Sequence, residues 1–425
     1  MDSNWVRGQF EAFGAQELDG WAFFENAGGS YTCRAVTDRL TRYYRTRKVQ
    51  PYAPYPASQA AGAEMDEARV RLAQMLGVPT GWLSFGPSTT QNVYVLAQAV
   101  RQWLKPGGVV IVTNQDHEAN SGAWRRLADA GFELREWQLN PMSGTLELDD
   151  LAQLLDDKVQ LVCFPHCSNV IGEINDVAAI TALVHEAGAR VCVDGVSYAP
   201  HGLPDVGALG ADIYLFSAYK VYGPHQGLMV IKPDFAAALP NQAHHFNADT
   251  AYKRFTPAGP DHAQIAACAG MADYFEAFSA HHGGPATGAE AARFAHDLMR
   301  AQEVDLLQPL LDYLAGRNDL RLLGPRDAGM RAPTVAVALT SKTRGAEAAA
   351  VALAEHKIMA SGGDFYAHRP LKALDIDPQS GVLRLSFVHY TSQDEVSQLM
   401  AALDAVLYPP PRSGKAGRTC KNGLK

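Results

Sequence analysis

Two charged residues stand where mostly apolar strands end. Lys220 lies in Phe216-Ser217-Ala218-Tyr219-Lys220-Val221-Tyr222-Gly223-Pro224, directly after the run Asp212-Ile213-Tyr214-Leu215-Phe216. Twenty-six residues earlier, Arg190-Val191-Cys192-Val193-Asp194-Gly195 delivers a carboxylate from another strand that reads as buried. Ionised groups at the ends of buried strands cost free energy unless something compensates them. Either residue alone could simply end its strand and reach water. As a pair in this order, followed by a Gly-rich turn, they suit pyridoxal phosphate (PLP). The lysine would form an imine with its aldehyde, and the carboxylate would keep its pyridine nitrogen protonated.

The elements that must position this pair belong to a longer alternation. From about residue 60 to 235, helix-like and strand-like runs take turns. Helices are expected near 63–76, from Ser88 through Val100, near 122–130 and at 177–187. Strands are expected at 82–85, 109–112, 159–164, 190–194, 212–216 and 227–231. Continuous apolar strands separated by helices indicate a parallel sheet covered on both faces. Ligands bind such sheets beyond the carboxyl ends of the strands. Asn114 to His117, His166 to Asn169, Asp194 and Lys220 all fall there, on one rim. A helix is expected over 263–278, and a long one over 288–315 leads to a second unit. That unit has strands near 334–339 and 382–387 and helices at 346–356 and 392–407, the order of a smaller α+β domain. The reading is an α/β chain: an N-terminal segment (1–20), a large domain with a mostly parallel sheet (21–285), a small C-terminal domain (286–408) and a Pro/Gly-rich, basic tail (409–425) expected to be disordered.

Composition narrows the function. A net charge of −8 argues against a nucleic-acid or anionic-membrane partner, since both select basic surfaces. No run approaches the roughly 18 apolar residues of a membrane span. The start, Met1-Asp2-Ser3-Asn4-Trp5-Val6-Arg7, lacks the pattern of a signal peptide. Cysteines at 33, 163, 167, 192, 268 and 420 form no disulfide framework, and no second Cys/His pair gives metal-site spacing. The expectation is a reduced, cytoplasmic enzyme without a metal.

The run from Val193-Asp194-Gly195-Val196-Ser197-Tyr198-Ala199-Pro200-His201 through Asp205 to Asp212 and on to Ser217-Ala218-Tyr219-Lys220 resembles the cofactor segment of class V aminotransferases. That group includes cysteine desulfurases, selenocysteine lyases and isopenicillin N epimerase-like proteins, all of fold-type I, and the resemblance runs from about Phe24 to Leu407. It implies a PLP-dependent transferase fold, PLP as cofactor, an amino acid as substrate, and a homodimer with shared active sites in which residues 250–262 are the candidate borrowed loop.

The resemblance also implies roles. In Asp116-His117-Glu118-Ala119-Asn120, His117 would stack on the pyridine ring and could shuttle a proton. In Ser168-Asn169-Val170-Ile171-Gly172, Asn169 would hydrogen-bond the cofactor's phenolate oxygen. Ser88, Thr89 and Thr90 at a helix start would form the phosphate cup, where plain N-capping is the alternative, and Ser217 would add a phosphate contact. Arg384, in Leu383-Arg384-Leu385-Ser386-Phe387-Val388-His389-Tyr390, would hold the substrate α-carboxylate. Asn26, in Phe24-Glu25-Asn26-Ala27-Gly28-Gly29-Ser30, would face the substrate.

Three departures from the family pattern bear on the reaction. Ser197 stands where desulfurases carry Gln beside the phenolate oxygen. Gly259-Pro260-Asp261 stands where many relatives have a turn whose Thr reaches the phosphate across the dimer, a contact that Thr256 could replace. Gly362-Gly363-Asp364-Phe365-Tyr366-Ala367-His368-Arg369-Pro370 aligns with the mobile segment bearing the persulfide cysteine of desulfurases, and it contains no cysteine; by the resemblance, Tyr366 would take that place against the substrate. Sulfur abstraction needs a thiolate nucleophile. The expectation is therefore a C–S lyase-type β-elimination on a cysteine-derived or other β-substituted amino acid. An aminotransferase, epimerase or decarboxylating deaminase is the alternative on the same scaffold, and a non-catalytic PLP-binding protein is a third class.

Overall fold

The computed structural model describes residues 1–258, 260–340 and 345–407. The expected tail with Cys420, and Gly259, lie outside the described residues. In chain order the strands are β1 (Ala22–Phe23), β2 (Leu83–Gly86), β3 (Val109–Thr113), β4 (Glu133–Trp137), β5 (Val159–Pro165), β6 (Arg190–Asp194), β7 (Ile213–Ser217) and β8 (Gly227–Ile231). The later ones are β9 (Leu320–Leu322), β10 (Thr334–Leu339), β11 (Ile358–Met359), β12 (Ser361–Gly363) and β13 (Val382–Ser386).

Seven strands form one sheet in the order β2-β8-β7-β6-β5-β3-β4, with only β8 antiparallel to its neighbours. Its central strands are apolar at nearly every position because both faces are covered. Val162, Phe164, Val191, Val193, Tyr214 and Phe216 point into one core. Their neighbours Leu161, Cys163, Cys192, Ile213 and Leu215 point into another, beside Trp124 and Leu96. This is the period-2 alternation of a strand buried twice. The fold is the α/β, fold-type I arrangement the sequence indicates.

A four-stranded antiparallel sheet, β12-β13-β10-β9, forms the second layer. It is backed by Leu307, Leu310 and Leu314 of the helix Gly288–Ala315, and by Leu353, Leu399 and Leu403 from the helices Ala346–Glu355 and Gln393–Leu407. The N-terminal chain stitches the two sheets together. β1 pairs in parallel with β11, and Glu25 then bridges Ser386 of β13. A few residues on, Ser30 Oγ donates to the Lys220 carbonyl at 2.7 Å and the Cys33 N–H to the Tyr222 carbonyl at 3.0 Å.

Local differences from the sequence reading have local causes. Lys220 is not on a strand: β7 stops at Ser217, and Ala218–Lys220 is a 3-10 turn. The helix expected over 122–130 runs Glu118–Arg125, and Gly131, at φ 88°, closes the turn after it. The helix expected over 263–278 is two, His262–Ala267 and Ala269–His281. β4 was not anticipated, since Glu133, Arg135 and Glu136 interrupt an apolar run; it is an edge strand, where charges block further pairing. No helix of the described residues is long and apolar enough to cross a membrane.

Candidate active site

The carboxyl ends of β3, β5, β6 and β7 converge on a cavity of ≈ 290 Å³. Ser88, Thr89, Thr90, His117, Asn169, Asp194, Ser197, Ser217 and Lys220 all line it. Register explains the convergence. Pro165 pairs with Asp194 and Asp194 with Leu215, so the chain leaves each strand at nearly the same height.

At one end the helix Thr89–Trp103 points its N-terminus into the cavity. Ser88 is the N-cap, with its hydroxyl accepting from the Gln91 N–H. Thr89 Oγ1 and Ser217 Oγ lie 2.7 Å apart, joining the helix start to the end of β7. A side chain at Gly227 would meet the backbone of Ser88 and Thr89 at 2.4 and 2.6 Å, so glycine lets β8 approach this turn. Hydroxyls with free N–H groups at a helix start suit a phosphate.

At the other end Asp194 is buried, and one of its carboxylate oxygens accepts from the Val196 N–H at 2.9 Å. Burial pushes this carboxyl up, partly offset by that hydrogen bond and by Lys220. A protonated ring nitrogen would relieve the penalty. Lys220 is driven down to about 8, first by burial and then by the Arg384 charge, with Asp194 and Glu25 opposing. A substantial fraction of the amine is therefore neutral near pH 8, as an imine-forming lysine requires.

His117 caps the helix Glu118–Arg125, and its Nδ1 accepts from the Ala119 N–H at 3.0 Å. That bond assigns the proton to Nε2. Burial, then Lys220 and Arg384, hold the imidazole down to about 3, so the ring is neutral. A neutral ring stacks on an aromatic cofactor without placing a second cation beside Lys220. The loop is held by Asp116, which accepts from Thr113 at 2.6 Å and Asn120 at 2.8 Å. Asn169 donates from Nδ2 to the Phe365 carbonyl at 2.9 Å, while its buried Oδ1 has no partner. Nδ2 keeps a second N–H, so the amide has unused capacity beside the cavity.

The residues expected to hold substrate are arranged differently. Arg384 is buried in β13, outside the cavity lining. Its Nη2 donates to Glu25 Oε1 at 2.7 Å and its Nη1 to the Asn169 carbonyl at 3.2 Å, and the Phe365 ring covers its face at 3.8 Å. Asn26 does not face the cavity. Its Nδ2 reaches the carbonyls of Phe23 and Ser386, both at 3.4 Å, and its Oδ1 accepts from Tyr390. The reason is the pairing beside β13, which turns this amide inward as a rivet. Tyr366 is 71% exposed at the mouth, its ring 5.3 Å from that of His117. Thr256 is engaged within its own chain, donating to the Phe85 carbonyl at 2.9 Å.

Sequence reasoning missed four residues of this region. Tyr219 and His225 line the wall, their rings stacked 5.0 Å apart and 3° from parallel. Cys167, in the rim stretch 166–169 but given no role there, also lines the cavity, but its thiol donates to the Gly172 carbonyl at 3.4 Å and burial pushes it up to about 12. Glu25 stands in the sequence only as one residue of a turn motif. Its signal was a carboxylate set between a buried aromatic and a Gly-Gly turn.

Comparison with known proteins agrees with this architecture. Residues 22–399 match the model of the class-V aminotransferase family. An aminotransferase-like protein of Gibberella zeae is 33% identical over 95% of this chain and 98% of its own length. A nonribosomal peptide synthetase-like enzyme of Aspergillus fumigatus is 31% identical over 90% of this chain, which spans only 25% of that protein. Among solved structures, a cysteine desulfurase from Escherichia coli superposes with a TM-score of 0.80 at 23% identity, covering 96% of this chain and 99% of that one. The chain belongs to the class V aminotransferase family. It is a PLP-dependent enzyme of amino-acid chemistry, in a family whose members include cysteine desulfurases.

Proposed function

We propose that this enzyme catalyses a C–S lyase-type β-elimination on a cysteine-derived or other β-substituted amino acid. The carrying observation is the segment over the site. It presents Phe365 and Tyr366 and no thiol, and the thiol in the cavity wall, Cys167, is held protonated by burial. A thiol pushed up to about 12 is a poor sulfur acceptor.

Bound PLP would supply an electron sink for charge developing at the substrate's Cα. Ser88, Thr89, Thr90 and Ser217 would take its phosphate, Asp194 its ring nitrogen, and Asn169, with Ser197 nearby, its phenolate oxygen. His117 would lie against the ring. Lys220 would anchor the cofactor and, once released, move the Cα proton at Nζ. Arg384 would be the cation that takes a substrate carboxylate, once released from Glu25. Incubation with L-cysteine and S-substituted cysteines, with pyruvate, alanine, sulfide and protein persulfide quantified together, tests the reading. Pyruvate in step with free sulfide or thiol is expected. A persulfide on one defined cysteine with stoichiometric alanine would restore the desulfurase reading.

The relatedness to an aminotransferase-like protein over nearly the whole of both chains favours transamination as the second reading. Keto acid formed only with an amino acceptor would select it. We further propose a homodimer that borrows residues 250–262 across the interface. Tyr44, Val49, Tyr52 and Tyr55 form an exposed apolar stretch suited to a second copy. Full activity from a monomer in sedimentation and dilution assays would exclude it.

A further inference from the structure

Arg384 is not free to receive a carboxylate as it stands. Side-on and end-on pairing with a guanidinium both use Nη2, where Glu25 already takes one N–H at 2.7 Å and sets a like charge in the way of an incoming carboxylate. Nε is buried without a partner, and the ring of Phe365 closes the face. Glu25 is held there by its own backbone: it bridges Ser386, the Ser386 N–H donates to the Phe24 carbonyl at 2.8 Å, and Asn26 is riveted beyond it. A Cβ at position 28 would stand 2.9 Å from Glu25 Oε1, so Gly28 leaves the carboxylate its room. Its second oxygen, Oε2, is buried and unpartnered.

The cover is held under tension. Phe365 and Tyr366 both have left-handed backbones, φ 52° and 56°, a conformation that non-glycine residues adopt only at a cost. They are retained by Asn169 on the Phe365 carbonyl, the Glu118 N–H on the Tyr366 carbonyl at 2.9 Å, and the Arg369–Glu118 ion pair. These anchors sit on the elements that carry His117 and Asn169.

We propose that Glu25 is a specificity-determining residue: its carboxylate occupies the place on Arg384 that a substrate's α-carboxylate takes, so an amino acid binds by displacing Glu25 and lifting Phe365. This rests on the amino-acid-enzyme reading above. Glu25 would then lower affinity for every substrate carrying a free α-carboxylate and leave ligands without one unaffected. Selection would fall on substrates with enough additional contacts to win the exchange.

The probes are L-alanine, which has the α-carboxylate, and L-alaninamide, which does not. Cofactor attachment is scored first, by borohydride reduction and mass analysis of the Lys220 peptide. No attachment overturns the cofactor reading and this inference with it. With the cofactor attached, each probe is titrated into the holoenzyme and followed by its visible spectrum. Glu25→Gln keeps the size and the acceptor but removes the charge, and should bind L-alanine about tenfold tighter, the order of freeing one charge-assisted hydrogen bond. L-alaninamide should stay within about twofold. Glu25→Asp keeps the charge and should show less than half the logarithmic gain. If Glu25→Gln binds L-alanine equally or more weakly, or binds neither probe, Glu25 only positions Arg384 and the proposal falls while the cofactor reading stands. An equal gain for both probes overturns it too, because the effect would then not pass through the carboxylate.

Discussion

The proposed cofactor side of this cavity and the proposed carboxylate site next to it are built in opposite ways. The first comes from the ends of adjacent strands in one sheet, where Asp194, Ser217 and Lys220 lie within a few residues of paired backbone. Ladder hydrogen bonds hold these groups whether or not a ligand is present. The second joins three separate stretches: Glu25 from the N-terminal chain, Arg384 from the small sheet, and Phe365 from a segment with two left-handed residues. Its positive charge is already neutralised by the protein itself. A rigid half suits a resident cofactor, and an internally satisfied half that must open suits ligands that come and go.

Breaking the rigid half should give the largest effects. Lys220→Ala should abolish covalent attachment of the cofactor and lower turnover by about 10²–10⁴-fold or more, the range for losing a positioned acid–base group, while the circular dichroism spectrum stays native. Turnover near the wild-type rate would remove the lysine from the mechanism. Asp194→Ala should weaken cofactor retention on dialysis and slow exchange of the Cα proton, because an unprotonated pyridine is a poor sink. Unchanged exchange would mean that Asp194 does not meet the ring.

Breaking the opening half should move binding more than chemistry. Arg384→Ala removes the cation and leaves the half-buried Glu25 without its partner, so KM for an α-amino acid should rise by about tenfold or more, with kcat changing less. An unchanged KM would place the carboxylate elsewhere. The contrast has a pH signature as well. Lys220 is lowered to about 8, so its neutral fraction grows as pH rises through that value. Covalent uptake of cofactor by the apoprotein should accelerate from pH 6 to 9 and level off above; a rate falling over that range would contradict the assigned shift. The smallest effect concerns the cover. Tyr366→Asn exchanges an exposed side chain for one that tolerates the left-handed region and should leave unfolding free energy within about 1 kcal/mol of wild type, on the stabilising side. A larger loss would mean that the Tyr366 ring bears on His117.

The placement of the proposed cofactor half was legible in the chain because its information is local. Strands apolar on both faces, with Asp194 ending one and Lys220 in the turn after another, belong to a covered parallel sheet with charge at its rim, and His117, Asn169 and Ser88-Thr89-Thr90 follow strand ends or start a helix. The substrate half was legible only as residue types. Asn26 and Arg384 were expected to face a ligand, yet Asn26 turns inward and Arg384 is held by Glu25, since pairing of the N-terminal chain with β13 joins residues 359 positions apart. Cys167 carried no role because a thiol beside an apolar strand reads as a small hydrophobe, and the lining of a cavity depends on how strands twist past one another. Amino-acid types and their order determined by themselves which strands are buried and which charges lie at their ends, because burial of apolar surface dominates the energetics of a doubly covered sheet. Which charge meets which was decided by tertiary structure, because an ion pair depends on ångström-scale geometry between segments whose separation along the chain carries no record of it.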